Sequence, residues 1–487
     1  MTESQRLLLA LVLTLIYMVW VGVLLWRHYL PKLTKKPINQ GSFLIAYASQ
    51  SGNARALAQQ YADEKSPQHS VVVTPLSELS LRHLANTQRA LFVVSTYGHG
   101  EPPDNGRAFF MKLQNAVKQT LSLQALTFDM VALGDSHYTH FCGFGEKLFQ
   151  LLEQCGATAA SALTRLDHAK GETGKSAVSF ATGNTNTLVL EDRQQLNKMS
   201  PNPLFEIALS GHNATWEAGD ILDILPANSE QDIAYWLNSH NINGDLEFDY
   251  QDQAWTAKRW LTHRQLNTPS TASSPVAILT ALPLVATRSY TIASICEENS
   301  LKLIVRQHKQ DNGKLGLCSG WLTHHVHCGS PIRAKIKHNP ACHIPILPTP
   351  LLLIGAGSGL AGIRAQFAKF SQSTISPRPT SIWLIFGERS PNNDDVLEQV
   401  IDVNHAATAI RVDKVFSRCP KQPRYVQDKL MQSAEEIKNL VLKGGQIYVC
   451  GSYEGMGEGV HQALLDILGE AQVQHLIDQQ RYHRDTY

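Results

Sequence analysis

One short stretch, residues 288–294 (RSYTIAS), combines residue types that could hold a phosphorylated aromatic ligand. Successive side chains of a β-strand point to opposite faces, so Arg288 and Tyr290 share a face. An arginine can pair bidentately with a phosphate, and a tyrosine ring can lie against a flat ligand. The stretch therefore indicates a ligand-holding strand. An ordinary exposed strand face is the alternative reading of these residues taken alone.

A second candidate phosphate site is the loop 49–54 (SQSGNA), which lies between an apolar run (42–48) and a helical pattern. Backbone N–H groups and hydroxyls of such a loop can face an anion, and the helix dipole adds to the attraction. The loop lacks the Lys-Ser/Thr pair of a nucleotide P-loop. A plain helix N-cap is the alternative, because Ser and Asn are good caps.

Two aromatic loops follow the next buried strands that the sequence predicts, at 91–95 and 128–134. One loop carries Tyr97 and the other carries Tyr138. Both follow the carboxyl ends of parallel strands, where doubly wound sheets bind ligands. Together with the phosphate loop, they describe a site for a flat ring with a phosphate tail.

The second half of the chain contains two further loops suited to pyrophosphate. The turn 316–319 (GLCS) precedes a helical pattern, so its backbone N–H groups and the Ser319 hydroxyl could face an anion. The apolar run 350–354 leads into a loop with alternating glycines, 355–359 (GAGSG). That loop does not meet the dinucleotide fingerprint, which demands G-x-G-x-x-G and an acidic residue about twenty positions on.

A basic loop after another predicted strand favours NADP over NAD. Ser417 and Arg418 end the strand, and Arg424 and Tyr425 follow. Arginine can pair with a 2′-phosphate and tyrosine can stack on adenine. An exposed basic loop without a ligand is the alternative.

Composition excludes several classes of function. The 487-residue chain has a formal net charge of +1 and no basic stripe with interleaved aromatics, which argues against nucleic-acid binding. The eight cysteines are scattered without a C-x-x-C pair, as in a protein of a reducing compartment. The histidines and cysteine at 324–328 lack regular ligand spacing, so we expect no metal site.

Residues 7–26 form an uncharged, mostly apolar run that is long enough to span a bilayer as a helix. Only Arg6 precedes this run, whereas Arg27 and three lysines follow it. By the positive-inside rule, this pattern predicts a single-pass membrane protein with its catalytic part in the cytoplasm. A cleaved signal peptide is the alternative.

Residues 41–487 resemble the NADPH-dependent diflavin reductases, because six motifs stand in that family's order. The resemblance implies an α/β plus β-barrel fold with FMN, FAD and NADPH as cofactors. The expected parts are a transmembrane anchor and stalk (1–40), a flavodoxin-like doubly wound FMN domain (41–183), a linker (184–203), an antiparallel FAD-binding barrel with a reduced connecting region (204–345), and a ferredoxin-reductase-type NADP-binding α/β domain (346–487).

The resemblance also implies roles for individual residues. Thr291, Cys450 and Asp485 are the expected hydride-transfer site, and the terminal Tyr487 would cover the flavin face. The residues expected to bind cofactors are Ser49, Gln50, Ser51, Gly52, Asn53, Ala54, Thr96, Tyr97, Gly98, Gly100, Gly134, Asp135, Tyr138, Phe141, Cys142, Asp167, Arg288, Tyr290, Thr291, Ser294, Gly316, Cys318, Ser319, Gly357, Ser358, Gly359, Arg389, Ser417, Arg418, Arg424, Tyr425, Gln427 and Tyr487.

Some positions depart from the family pattern. Gly362 stands in place of a proline, which predicts a looser loop and weaker NADPH binding. Pro423 stands in place of a lysine, with Arg424 as a possible substitute. Thr291 replaces the usual serine but keeps the hydroxyl. Only about fifty residues are left for the connecting region that orients the two flavins in the family.

We expect electrons to pass from NADPH to FAD, then to FMN, and then to an acceptor protein. The predicted anchor favours a haem protein or other membrane acceptor, that is, an NADPH–haemoprotein reductase. The alternative is the flavoprotein component of sulfite reductase, with a sirohaem protein as acceptor. A third possibility is a flavin redox sensor or scaffold without NADPH turnover.

Overall fold

The computed structural model describes residues 43–49, 52–67, 69–97, 100–117, 121–136, 140–167, 186–211, 215–250, 253–266, 274–310, 313–371, 378–402, 409–420 and 423–487. In these ranges no helix has the length and apolar character needed to cross a bilayer. The predicted anchor, residues 7–26, lies outside the described residues. The prediction of membrane localisation is therefore not borne out within the described residues and is not carried further.

The first domain is a doubly wound α/β sheet. Its elements are β1 (Phe43–Ala48), α1 (Asn53–Lys65), β2 (Val71–Pro75), α2 (Leu81–Ala85), β3 (Arg89–Ser95), α3 (Asp104–Val117), β4 (Thr127–Gly134), α4 (Gly143–Gln154), β5 (Thr158–Ala159) and β6 (Thr164–Asp167). The strand order is β2-β1-β3-β4-β5, all parallel, and β6 also pairs with β4.

Both faces of this sheet are covered, which explains the continuous apolar runs of its central strands. Leu44 and Phe92 belong to one core, whereas Ile45 and Val93 belong to the core on the opposite face. The loops at the carboxyl ends of β1, β3 and β4 are therefore held at one edge of a rigid sheet, as the sequence predicts.

The second domain is an antiparallel barrel with a helical insert. Its elements are β7 (Asn186–Gln195), β8 (Leu204–Ser210), β9 (Ile221–Ile224), α5 (Glu230–Ser239), β10 (Glu247–Tyr250), β11 (Gln253–Thr256), α6 (Ala257–Leu261), α7 (Pro275–Ala281), β12 (Arg288–Thr291), β13 (Leu301–Arg306), α8 (Leu317–Gly320) and β14 (Pro331–Lys337). The strand order is β12-β9-β14-β7-β8-β13, and a bridge between Ile292 and Leu303 joins the two edges.

The structure differs from the predicted linker at 184–203. Strand β7 lies within that range and pairs with both β8 and β14. Its inward residues Leu188 and Leu190 are fully buried, whereas the five residues that follow, 191–195 (EDRQQ), are all polar. The segment was predicted to be a linker because the polar residues of this strand resemble the composition of a linker.

The third domain is a parallel α/β sheet. Its elements are β15 (Leu351–Ala356), α9 (Leu360–Ser371), β16 (Ser381–Glu388), α10 (Leu397–Val400), β17 (Ala409–Phe416), α11 (Val426–Gln432), α12 (Ala434–Leu442), β18 (Gln446–Gly451), α13 (Glu458–Leu468), α14 (Glu470–Asp478) and β19 (Tyr482–Thr486). The strand order is β17-β16-β15-β18-β19. The carboxyl terminus is therefore an edge strand of the sheet.

Single helical turns complete the described elements: Leu76–Glu78, Cys296–Glu298, Trp321–His325, Pro340–Cys342, Gly357–Gly359 and Tyr453–Gly457. Buried polar contacts fix the barrel against the third domain. Arg364 of α9 pairs with both carboxylate oxygens of Glu298 (2.9 and 2.6 Å) and donates to Ala293 O at 2.7 Å. These two domains form the frame of the candidate site.

Candidate functional site

The centre of the candidate site is one carboxylate oxygen, Oδ2 of Asp485 on β19. Thr291 Oγ1 donates to it at 2.8 Å, and Cys450 Sγ lies 3.6 Å from it. Tyr448, which the sequence did not single out, donates its hydroxyl to the same oxygen at 3.0 Å. The structure thus brings the three predicted catalytic residues together from β12, β18 and β19, and it adds a fourth.

The electrostatics of this cluster suit orientation rather than covalent chemistry. Burial raises the pKa of Asp485, and the hydrogen bonds from Thr291, Tyr448 and Cys450 oppose that rise. Burial also raises the pKa of Cys450 well above its usual value, so the sulfur stays a thiol. The cluster can hold a hydroxyl and a thiol in fixed positions around a ligand.

Gly362 packs against this cluster, which corrects the prediction of a looser loop. The residue is buried in the first turn of α9. A Cβ at this position would overlap the Tyr448 hydroxyl oxygen and lie 2.7 Å from Cys450 Sγ. The glycine is therefore required by close packing, because a larger residue would displace the partners of Asp485.

A cavity of about 620 Å³ in the barrel domain fits FAD. Arg288 and Tyr290 line it on one side, and Gly316 and Ser319 line it on another. Within the described ranges, the Arg288 guanidinium makes one hydrogen bond, to Thr287 O at 3.2 Å, and no ion pair. A guanidinium without a carboxylate partner suits a pyrophosphate.

Cys318 and Ser294 support this cavity in different ways. Cys318 lies against Tyr290 with a side-chain hydrogen bond, and burial raises the pKa of its thiol to about 12. Ser294, predicted as a cofactor ligand, is fully buried and does not line the cavity. Its Oγ accepts from Lys302 N at 2.9 Å, so it joins the end of β12 to β13.

A further cavity of about 370 Å³ continues the FAD cavity towards the helical insert. The two share five lining residues: Asn228, Leu266, Gln310, Gly316 and Leu317. Trp236 and Trp321 supply aromatic surface in the second cavity. The combined groove can therefore accommodate a long ligand with two ring systems, as FAD is.

A third cavity, of about 280 Å³, opens between the first domain and the carboxyl terminus, and it fits the FMN ring. The predicted residues that line it are Asn53, Thr96, Tyr97, Gly134, Asp135, Phe141 and Cys142. A Cβ on Gly134 would lie 2.7 Å from Cys142 N, so glycine is needed there. The predicted Gln50, Ser51, Gly98 and Tyr138 lie outside the described residues.

Two predicted FMN residues support the loops instead of lining the cavity. Asp167 Oδ1 accepts from Ser136 N at 3.0 Å and holds the loop after β4. Gly100 has φ +86°, and its carbonyl accepts from Lys147 Nζ at 2.9 Å. Asp167 thus holds the loop after β4, and Gly100 ties the loop after β3 to α4.

The loop after β1 has the properties of a phosphate cradle. Gly52 has φ +83°, and Ser49 Oγ accepts from Ala54 N at 3.2 Å. Among the described residues, the N–H groups of Gly52 and Asn53 have no hydrogen-bond partner. These donors precede a thirteen-residue helix, whose dipole favours an anion.

The FAD and FMN cavities share Ser289, Thr291 and Tyr487. Asp485 also lines the FMN cavity. Thr291 and Asp485, two of the three residues predicted for hydride transfer, therefore lie where the two cavities meet.

Strand β19 also contacts the first domain. The hydroxyls of Tyr97 and Thr486 form a hydrogen bond, and Arg484 forms an ion pair with Asp104. The Arg484 side chain is only 3% exposed. The Tyr97 ring packs edge-on against Tyr453, with 4.8 Å between centroids. Tyr97 is thus held from the third domain.

The glycine loop of the third domain lies beside the hydride site. A Cβ on Gly359 would overlap the Cys450 carbonyl oxygen, and Gly357 has φ +58°. Ser358 Oγ accepts from the Tyr487 hydroxyl at 2.8 Å. The predicted covering aromatic is therefore tied to the loop that is expected to hold NADPH.

The residues predicted to bind the 2′-phosphate of NADPH lie together. They differ in how far their side chains are free to contact a ligand. Arg418 N donates to Arg389 O at 2.8 Å, which joins the two loops. Arg424 donates Nη2 and Nε to Ser417 O at 2.6 and 3.0 Å. Arg424 therefore braces the loop and does not present its full guanidinium to a ligand.

Tyr425 and Gln427 complete this region. Tyr425 is half exposed, and its N–H caps onto Asp428 Oδ2 at 3.1 Å. Gln427 faces the start of α13, where a Cβ on Gly459 would lie 3.0 Å from its Nε2. An exposed ring beside Arg424, whose Cζ lies 6.0 Å from the ring centroid, is suited to stacking on adenine.

Glu388 and Arg306 are functional-site residues that the sequence analysis missed. Glu388 ends β16, where NAD enzymes place the acid that binds a ribose hydroxyl. Its carboxylate is 3% exposed and pairs with Arg306 Nη2 at 2.9 Å. Because that carboxylate is already engaged, it does not compete with a 2′-phosphate.

For some of the site residues that were not predicted, the sequence does contain a pattern that indicates them. Tyr448 stands two positions before Cys450 on one strand and so shares its face. Arg484 and Thr486 flank Asp485 and so point the other way. Arg306, in contrast, gave no signal, because its carboxylate partner Glu388 lies in another domain. Among the described residues, no group of three His, Cys, Asp or Glu side chains could hold a metal ion.

Comparisons with known proteins agree with this geometry. The flavodoxin family model matches residues 45–179, and the oxidoreductase NAD-binding domain model matches residues 353–462. These matches support FMN, FAD and NADPH as cofactors, so that prediction is confirmed.

Three relatives that match over most of their length are each named sulfite reductase (NADPH) flavoprotein alpha-component. The protein of Vibrio cholerae serotype O1 is 27% identical, covering 92% of this chain and 88% of the relative. That of Bacillus subtilis is 25% identical (91% and 89%), and that of Escherichia coli O157:H7 is 26% identical (91% and 89%). With its two flavin cavities and its NADP-type sheet, this oxidoreductase belongs to the NADPH-dependent diflavin reductase family.

Proposed function

We propose that this chain is the flavoprotein component of an NADPH-dependent sulfite reductase and delivers electrons to a separate sirohaem protein. The observation that carries the electron path is the sharing of Ser289, Thr291 and Tyr487 by the two flavin cavities. The relatives' names favour this acceptor, and the term alpha-component implies a second component.

The hypothesis that the chain is an NADPH–haemoprotein reductase lacks its main support. It was preferred over sulfite reductase because of the predicted membrane anchor, for which no helix of the described residues gives support. The sensor or scaffold reading rested partly on Gly362, which the structure explains by packing. Both readings are therefore weaker than the sulfite reductase proposal.

Bound in these cavities, FAD supplies a two-electron acceptor for the hydride of NADPH, and FMN supplies a one-electron donor to the partner protein. The chain's own residues provide position and exclusion of water. Asp485 fixes the Thr291 hydroxyl and the Cys450 thiol through one oxygen. Tyr487 covers the junction and is held by Ser358.

Reconstitution with candidate acceptors tests the proposal. The purified, flavin-loaded chain would be mixed with NADPH and either a sirohaem sulfite reductase component or a generic haem protein such as cytochrome c. We expect sulfide formation from sulfite only with the sirohaem component. Reduction of cytochrome c with no sulfide formation in the presence of the sirohaem component would refute this acceptor, while leaving the reductase activity in place.

A further inference from the structure

Lys337, at the end of barrel strand β14, reaches out of its own domain to the phosphate loop of the first domain. Its Nζ donates to Asn53 Oδ1 at 2.7 Å. A Cβ on Gly52 would lie 3.5 Å from Lys337 Cε, so the side chain passes along the loop itself. Lys337 lines a cavity of about 820 Å³ together with Ser49, Gly52 and Asn53.

The Lys337 ammonium lacks a counter-ion in the part of the chain that the structure describes. The Asn53 contact is its only hydrogen bond there, and no carboxylate lies within ion-pair distance. Burial lowers the pKa of Lys337, and the more distant Asp223 opposes this effect. A partly desolvated cation in such a place is stabilised by an incoming anion.

The loop offers the complementary half of an anion site. The N–H groups of Gly52 and Asn53 have no partner among the described residues. Ser49 Oγ already accepts from Ala54 N, which leaves its hydroxyl proton to be donated. An anion held by these donors would lie next to Asn53, the residue that Lys337 contacts.

We propose that Lys337 is a ligand of the FMN phosphate, contributed by the FAD-binding domain to the FMN-binding domain. The inference rests on the proposed function only in taking FMN as the ligand of the first domain. Since the phosphate bridges two domains, FMN binding favours their contact, and by thermodynamic linkage their contact favours FMN binding. The short connecting region is thereby supplemented by the cofactor itself.

Flavin titration of the FMN-depleted, full-length protein tests the proposal. Lys337→Met should raise the Kd for FMN about tenfold or more, since a hydrogen bond to a charged group is lost. It should leave the Kd for riboflavin, which lacks the phosphate, unchanged. The matched control is Lys198→Met, an exposed lysine of the same domain that does not line this cavity. The control should change neither constant.

Two outcomes would overturn the proposal. One is an unchanged FMN Kd in Lys337→Met, and the other is an equal loss of affinity for FMN and riboflavin. If the variant does not fold, the wild-type protein still decides. FMN should then stabilise it more than riboflavin against thermal unfolding and make it more compact in small-angle scattering, and equal effects of the two flavins would contradict the role of Lys337.

Failure of this inference is distinguishable from failure of the proposed function. Flavin titration needs neither NADPH nor an acceptor protein. A chain that binds FMN through Lys337 but delivers no electrons to a sirohaem protein would retain the inference and lose the proposed acceptor.

Discussion

At the scale of single residues, the candidate site depends on how many donors share one carboxylate oxygen. Asp485 Oδ2 accepts hydrogen bonds from the side chains of Thr291, Tyr448 and Cys450. The family's serine is Thr291 here, and its added methyl group limits rotation about χ1. The hydroxyl is therefore held both by Asp485 and by its own side-chain stereochemistry.

Replacement of Thr291 tests the role of this hydroxyl. Thr291→Val keeps the shape but removes the donor, so flavin reduction by NADPH should slow roughly ten- to a hundredfold. Thr291→Ser should retain most of the rate. Stopped-flow absorbance under anaerobic conditions measures both variants. Equal rates for Val and Thr would show that the hydroxyl takes no part.

Gly362 gives a second residue-scale prediction, in which two effects have opposite signs. Alanine in place of glycine inside a helix normally stabilises by about 1 kcal/mol. Here the added Cβ meets Tyr448 and Cys450, so Gly362→Ala should destabilise by about 1–3 kcal/mol.

A double-mutant cycle isolates the cause. Tyr448→Phe removes the overlapping hydroxyl and should recover part of the loss, while Cys450 Sγ keeps the rest. Denaturant unfolding of the four proteins gives the coupling energy. Additive effects of Gly362→Ala and Tyr448→Phe would contradict the packing explanation.

Sequence-based prediction grouped Thr291, Cys450 and Asp485 by family motifs, and the structure brings the three together, while their role in hydride transfer stays a prediction. Sequence-based prediction failed for Gly362. The reason is physical: the residues that fill the space beside it, Tyr448 and Cys450, lie far along the chain. Flexibility was inferred from the residue type alone, whereas packing decides its role.

At the scale of elements, strand β19 serves two domains. Because side chains alternate, Asp485 faces the hydride site, whereas Tyr482, Arg484 and Thr486 face the opposite way. The second face contacts α3 through Asp104 and α13 through His461. A frayed terminal tail could not perform this function.

His461 makes this interface sensitive to pH. Burial, followed by the nearby Arg484 and Arg107, lowers its pKa from 6.5 to about 3, and Asp104 opposes them. Tyr482 also faces the ring, at 3.2 Å from Nδ1. The folded state holds His461 neutral, so stability is fully present above pH 6.5 and is lost as pH falls towards 3.

Replacement of His461 tests this linkage. His461→Gln should remove up to one proton from the pH dependence of unfolding, a slope of about 1.4 kcal/mol per pH unit. Urea unfolding between pH 7 and pH 5 measures it. His475→Gln, on the neighbouring α14 and exposed, is the control and should keep the wild-type slope. A slope unchanged by His461→Gln would contradict the assignment.

The loop after β17 carries the prediction for coenzyme choice. Arg418→Ala should raise the KM for NADPH at least tenfold, because a phosphate partner is lost, with little change for NADH. Arg424→Ala should affect both coenzymes alike, since Arg424 braces the loop through Ser417 O. Steady-state kinetics with both coenzymes measures this. Equal effects of Arg418→Ala on both would refute the phosphate assignment.

Element prediction worked where strands are buried on both faces. The apolar runs before Ser49, Thr96 and Asp135 predicted strands whose bounds are close to those observed. Strand β7 was missed because only one of its faces is buried, by residues such as Leu188 and Leu190. Alternation in a segment that is otherwise polar is a weaker signal than a continuous run.

At the scale of the whole molecule, the order of domains followed from the resemblance, but their contacts did not. The shortened insert left the relative placement of the flavins open at the level of sequence. The structure places the two flavin cavities against one another at Thr291 and Tyr487. Contacts such as Arg484–Asp104 join residues that are far apart in sequence, so no local sequence pattern could predict them.

We expect electrons from NADPH to enter through the FAD cavity and to leave through the FMN cavity. The most direct measurement is anaerobic mixing of NADPH with the holoprotein and with FMN-depleted protein, followed by addition of the acceptor. We predict bleaching of both flavins in the holoprotein, bleaching of FAD alone after FMN depletion, and acceptor reduction only when FMN is present. Absence of flavin bleaching at saturating NADPH, or acceptor reduction without FMN, would contradict the account.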